Sequence, residues 1–183
     1  MPYPAGAIAN EFIKIARENH KRLSPLKLQK LVYFAHGWYL ALTGKPLINE
    51  PVEAWKFGPV IPSLYHALKK YAYQSVNECM TDDDFWEPST GGVCHELSVD
   101  DGPDQQENEL AKRIVRRVWD VYGGFSATQL SNLTHDDGTP WSMTPDKDKR
   151  RNAIIDPEII RGYFKAQADK SLAQANRDRQ PVG

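Results

Sequence analysis

A helix that must be surrounded is the strongest constraint this chain places on its own fold. Between Pro25 and about Leu42, Leu28, Leu31, Val32, Ala35, Tyr39 and Leu42 recur three and four apart, while Phe34, Trp38 and Ala41 cover much of the remaining circumference. A helix apolar on so many sides is stable only with neighbours packed around it, so this one is expected at the centre of a helical assembly. Its ends are marked. Ser24 can accept from an early helical amide and Pro25 presets the first helical residue, whereas Gly44 permits the left-handed closure and Pro46 prevents a restart. Its most apolar part, Leu31 to Leu42, is too short, and too broken by His36, Gly37 and the tyrosines, to span a bilayer.

Neighbours for it are legible on both sides. From Ala5 to Asn19, Ile8, Phe12, Ile15 and Ala16 form an apolar face opposite Asn10, Glu11, Lys14 and Arg17. Pro62 to Tyr71 makes a third helix with Leu64, Leu68 and Tyr71 inward. Gln105 to Tyr122 makes a fourth, with Leu110, Ile114, Val118 and Val121 as its core face, stopped by Gly123-Gly124. Ser126 caps a short helix carrying Ala127, Leu130 and Leu133. Asp136 to Lys149 reads as a polar loop holding Pro140 and Trp141. Asp156-Pro157 then opens a last core helix anchored by Ile159, Ile160, Tyr163 and Phe164. Val52, Ala54 and Trp55 suit a short extended segment, and the alternation from Val93 to Val99 predicts its partner in a small β ribbon. Asp82 to Gly92 reads as a loop. The expected fold class is mainly α: a single-domain helical bundle with a small β ribbon over residues 1–168, followed by a polar C-terminal extension or tail over 169–183.

Composition narrows the chemistry. Over 183 residues the formal net charge is −1, so no global positive field exists to hold a polyanion, and nucleic acid is not an expected partner. Cys79 and Cys94 form no Cys-x-x-Cys pair, and with His95 they supply at most three ligands; free thiols are expected, with no metal and no cofactor. Met1 to Ala9 lacks a basic start followed by an apolar run, which predicts a cytoplasmic protein.

No catalytic constellation stands out. Thr134-His135-Asp136-Asp137 is the best local candidate, since an imidazole oriented by a carboxylate can move protons near neutral pH, but adjacent side chains point apart and the run falls where a helix ends. An enzyme or processing factor using His135 with Asp136 or Asp137 is thus the rival reading. His36 and His66, each on a helix, read as core histidines. Gln105–Tyr122 and Ala127–His135 also resemble a helix-turn-helix offering Thr128, Gln129, Ser131 and Asn132 to bases. That second helix has no Lys or Arg and precedes two aspartates, which weakens the case for a DNA-binding autoregulator. The basic groups Lys112, Arg113, Arg116 and Arg117, and Lys147 to Arg151, read as solvated faces. More distinctive is the run from Glu53 to Tyr65, where Gly58-Pro59 predicts a constrained, sharply turned strand-to-helix connection; the flanking aromatics either cover the core or form a recognition surface, and composition alone favours the core.

Several stretches, in order along the chain, carry a resemblance. They are Leu26 to Leu40 (LKLQKLVYFAHGWYL), Glu53 to Tyr65 (EAWKFGPVIPSLY), Leu130 to His135 with Pro140-Trp141, and Ile160 to Phe164. Together they resemble the Panacea domain family, which includes SocA-like antitoxins and the phage-associated GepA proteins. The likeness runs from about Ala5 to Phe164, leaving the loop around Glu78 to Gly92 and the tail after Asp169 unmatched. It implies a helical domain with a small sheet, encoded beside diverse toxins on chromosomes, prophages and mobile elements. It also implies a protein that binds a cognate toxin encoded nearby and holds it inactive. One member of the family is described as an adaptor to a ClpXP protease, so a protease of that type is a second implied partner. No catalytic residues belong to the family, and none is expected here. As partner-binding residues the reading selects Trp55, Lys56, Phe57, Gly58, Pro59, Thr134, His135 and Trp141, with the amphipathic first helix as a further candidate surface.

Overall fold

The computed structural model describes residues 1–85, 98–101, 104–145 and 153–178. Among them are seven α-helices, α1 (Ala5–Glu18), α2 (Pro25–Thr43), α3 (Pro62–Leu68), α4 (Gln105–Tyr122), α5 (Ala127–Leu133), α6 (Pro140–Met143) and α7 (Pro157–Asp178). Three short strands accompany them: β1 (Glu53–Trp55), β2 (Gly58–Val60) and β3 (Ala153–Ile154). The mainly α architecture is the one expected.

α2 sits at the centre, packed against α1, α4, α5 and α7. Its boundaries follow the local chemistry: Ser24 Oγ accepts from the Lys27 amide at 3.4 Å, and Gly44 closes the helix with φ +71°. Its middle leans on α4 and α7 through an aromatic seam. Phe34 stacks on Tyr122 of α4 with ring centres 4.4 Å apart, and from α7 Phe164 meets Trp38 edge-on at 5.2 Å. Gly37 is what lets the two helices close, because a Cβ there would fall within the Phe164 ring. Lys27 extends to the C-terminal end of α4, donating to the Gly123 carbonyl at 2.6 Å where the helix dipole favours a cation.

α1 is buried around most of its circumference, Asn10 included. The Asn10 side chain takes both polar groups of Met80, accepting from its amide at 2.7 Å and donating to its carbonyl at 2.8 Å. The expected polar side of α1 is therefore narrower than its sequence suggests, and this helix is core rather than a candidate surface. Leu42, Val121 and Leu133, each expected inward and each near its helix's C-terminal end, are exposed. His36 is buried as expected; its Nδ1 accepts from the Ile48 amide at 3.4 Å, and burial lowers its pKa to about 4. His66 is exposed, against expectation, since α3 turns Leu64 and Leu68 inward.

The ribbon differs from the expected one. β1 pairs antiparallel with β2 across a tight turn and with β3 on its other side, in the order β2-β1-β3. Residues 93–97 of the expected partner lie outside the described residues, and Val99 opens a 3-10 turn. Pro59 is tolerated in β2 because β2 is an edge strand and needs no outward amide. Within the expected polar loop, Thr139 and Pro140 start α6, Thr139 Oγ1 accepting from the Ser142 amide at 3.3 Å. From Asp169 to Arg177 the side chains of α7 are exposed. Among the described residues, no helix is long and apolar enough to cross a membrane.

Candidate recognition hairpin

β1 and β2 are joined by Lys56 and Phe57, with Trp55 opposite Gly58. Neither turn residue has a positive φ; Gly58 takes it, at +95°. That is the pattern of an ordinary turn followed by a glycine bulge rather than a mirror-image hairpin turn. Glycine is required for a second reason. A Cβ at position 58 would lie 2.6 Å from both Lys30 Nζ and Thr134 Oγ1 and 3.1 Å from His135 Cε1. The hairpin backbone is thus pressed against a polar cluster from α2 and the end of α5.

That cluster grips the backbone carbonyls of the hairpin in succession. Trp141 Nε1 donates to the Trp55 carbonyl at 2.8 Å. His135 Nε2 lies 3.4 Å from the Lys56 carbonyl. Ser131 Oγ donates to the Phe57 carbonyl at 3.1 Å. Lys30 Nζ donates to the carbonyls of Phe57 at 2.8 Å and Pro59 at 3.0 Å, and Gln29 Nε2 to that of Ile61 at 2.8 Å. Backbone that would otherwise need water or a partner strand is satisfied from within.

The gripping side chains are themselves held. Thr134 Oγ1 donates to the Ser131 carbonyl at 2.6 Å, and His135 Nδ1, when protonated, donates to the same oxygen at 2.7 Å. Thr139 Oγ1 donates to the Thr134 carbonyl at 2.9 Å, tying α6 to the end of α5. The His135 ring lies 4.2 Å from that of Trp141. Trp55 stands edge-on to Tyr65 at 4.8 Å and donates through Nε1 to Glu53 at 2.7 Å. What remains outside is the side chain of Phe57, 65% exposed, with Lys56 Nζ 5.5 Å from its ring.

The eight residues singled out from sequence meet here, in three roles. Lys56 and Phe57 project; Gly58 and Pro59 carry the constrained backbone; Thr134, His135, Trp141 and the partly buried Trp55 support it. Lys30 was not singled out. It is fully buried, and burial alone lowers its pKa from 10.5 to about 7. Set between Gln29 and Leu31, it carries no local sign of burial.

The same geometry bears on the two rival readings. Among the described residues, the His135 ring engages the carbonyls of Ser131 and Lys56 and the Thr134 hydroxyl, while Asp136 and Asp137 are exposed beyond it. As a DNA-reading helix, α5 would spend two of its four candidate side chains on protein: Gln129 accepts from the Ser126 amide in a capping box, and Ser131 holds the hairpin.

Comparison with known proteins places the chain in a family. The family described as "Antitoxin SocA-like, Panacea domain" matches residues 28–142, a span that includes Lys30, the hairpin, Thr134, His135 and Trp141. A curated relative, "Antitoxin SocA" of Caulobacter vibrioides (strain NA1000 / CB15N), is 35% identical over 143 residues, covering 76% of this chain and 69% of its own. No solved structure gives a significant match. With a family model matched across the gripped hairpin and a curated relative 35% identical over 76% of this sequence, the chain belongs to the SocA-like Panacea domain family.

Proposed function

We propose that this protein is an antitoxin that neutralises a cognate toxin, encoded nearby, by direct protein–protein binding, and that the β1–β2 hairpin with its supports is the binding surface. The observation that carries this is the contrast within one turn. Its backbone is held from three helices, while Phe57 points a large apolar ring into solvent. An exposed aromatic on a pre-ordered backbone is what a desolvated interface anchor requires: area to bury and little entropy left to lose. Family membership and the similarity to a curated antitoxin supply the class of partner.

The test is co-expression with the product of the adjacent gene. Growth rescue and co-purification are expected from the wild type, and both are expected to fail for Phe57→Ala with the melting temperature unchanged. A wild-type chain that neither rescues nor co-purifies would overturn the reading. Occlusion and delivery to a ClpXP-type protease separate by toxin half-life, which shortens only under delivery and only in cells that contain the protease.

A further inference from the structure

Lys30 has no evident reason to be a lysine if its task is only to fill space in α2. Its ammonium is fully buried, and its two oxygen partners are the carbonyls of Phe57 and Pro59, on either side of Gly58. Burying an ammonium costs several kcal/mol unless its hydrogen bonds compensate. A methionine or leucine would pack the same volume without that cost. What the ammonium adds is a charge-assisted bond to each of two carbonyls that bracket the residue forced into positive φ.

We propose that Lys30 is the positioning residue of the recognition hairpin: its ammonium clamps the turn across Gly58 and so fixes the direction in which Phe57 is presented to the toxin. The proposal rests on the hairpin being the binding surface, and extends it from a surface to the device that sets its order. Ser131 reinforces the clamp at the Phe57 carbonyl, whereas Pro59 has Lys30 as its donor among the described side chains.

The proton is linked to the clamp. A neutral amine keeps two N–H groups to donate, whereas undocking the hairpin returns Lys30 to water and raises its affinity for a proton, so the docked turn is expected to gain order as pH rises above about 7. The titratable groups that share this space are few. His135 faces the turn from the end of α5, and Lys56 is exposed on the turn itself. Asp136 and Asp137 are exposed beyond His135. Burial is the cause of the lowered Lys30 pKa, with no carboxylate raising it.

The experiment measures turn order without any partner and then with one. Endoproteinase Lys-C cleavage after Lys56 in the native full-length chain is followed from pH 6 to 9, normalised to an unstructured peptide of the same local sequence, for wild type, Lys30→Met, Lys30→Arg and His135→Gln. Affinity for the adjacent gene's product is measured alongside. Lys30→Met is expected to stay folded, to be cleaved about tenfold faster and to bind about tenfold more weakly, the scale of the one charge-assisted bond left unreplaced, at the Pro59 carbonyl, since Ser131 still holds that of Phe57. Normalised wild-type cleavage is expected to slow as pH rises above about 7, His135→Gln to retain that slope, and Lys30→Met to lose it.

Wild-type cleavage rates in Lys30→Met, or a wild-type turn indifferent to pH, would overturn the clamp; the pH series does so even if the variant fails to fold. A loosened turn that still binds with wild-type affinity would overturn the positioning role while sparing the clamp. If the wild type fails to bind at all, the antitoxin reading falls, and with it the positioning role; cleavage then still decides the clamp on its own.

Discussion

Within its first two turns α2 sends Lys27 to the Gly123 carbonyl, Gln29 to that of Ile61 and Lys30 to those of Phe57 and Pro59. A turn or two later the same helix presents Tyr33, Phe34, Gly37 and Trp38, whose dominant neighbours are the rings of Phe164 and Tyr122. One helix thus uses directional bonds at one end and ring packing at the other. Ring packing rewards buried area and shapes that fit, so it supports the whole assembly. Hydrogen bonds to a loop contribute little net stability, yet they decide where that loop's backbone lies. The difference teaches that stability and presentation are separable here, and variants can be chosen to strain that separation.

The largest effect is expected at the aromatic seam. Phe164→Ala should cost about 3–5 kcal/mol, the range for truncating a buried aromatic, read as a fall in denaturant midpoint. Its binding should decline only with the folded fraction; a large early rise in Lys-C cleavage at Lys56 would break the comparison. Next is pH-dependent stability, of the order of a few kcal/mol, taken as wild type minus Lys30→Met. Between about pH 7 and the ordinary lysine value of 10.5 the unfolded chain binds the extra proton. Global stability attributable to Lys30 therefore rises with pH across that window, and is flat below it where both states carry the proton. Order of the turn is expected to move the same way, because opening the hairpin also returns Lys30 to water, so parallel slopes from one residue sharpen the case.

At the hairpin, Phe57→Ala should lose about 2 kcal/mol or more of toxin binding, with stability within about 0.5 kcal/mol of wild type. Gly58→Ala, which forces a side chain into φ +95° against Lys30 and Thr134, should cost about 1–3 kcal/mol and raise cleavage at Lys56 beyond what the stability change explains. Smallest is Trp141→Phe. Losing one bond to the Trp55 carbonyl should cost about 1 kcal/mol, and an unchanged cleavage rate would show that Trp141 contributes packing alone.

How legible each region was in the sequence follows from the same contrast. Helix ends announced themselves locally: Ser24-Pro25 and Gly44 bound α2, and Gly123 follows α4, where the structure has them. Apolar spacing located α3 and α7 in the same way. Of the sheet only β1 was legible, as the extended segment at Val52 to Trp55; β2 contains a proline and β3 is two residues long, neither alternates long enough to register, and pairing between positions 53 and 154 is not a local property. The candidate site fell between these cases. Glycine-proline between aromatics marks the segment but reads as a strand-to-helix connection, whereas the structure makes Gly58–Val60 the second strand of a hairpin. Thr134, His135 and Trp141 are selected with it. Their reason for belonging, a row of carbonyls taken by side chains from distant segments, exists only once the chain is folded. Lys30 escaped for the same reason, since nothing in a helical pattern distinguishes a buried lysine from one that reaches solvent.

Gly58 and the carbonyls around it have one more consequence. The supports hold atoms that every amino acid possesses, so the identities at positions 56 and 57 are nearly independent of the scaffold beneath them. A library randomised at Lys56 and Phe57 alone is expected to yield mostly well-folded chains that differ in what they capture, making the turn a natural site for reprogramming partner choice.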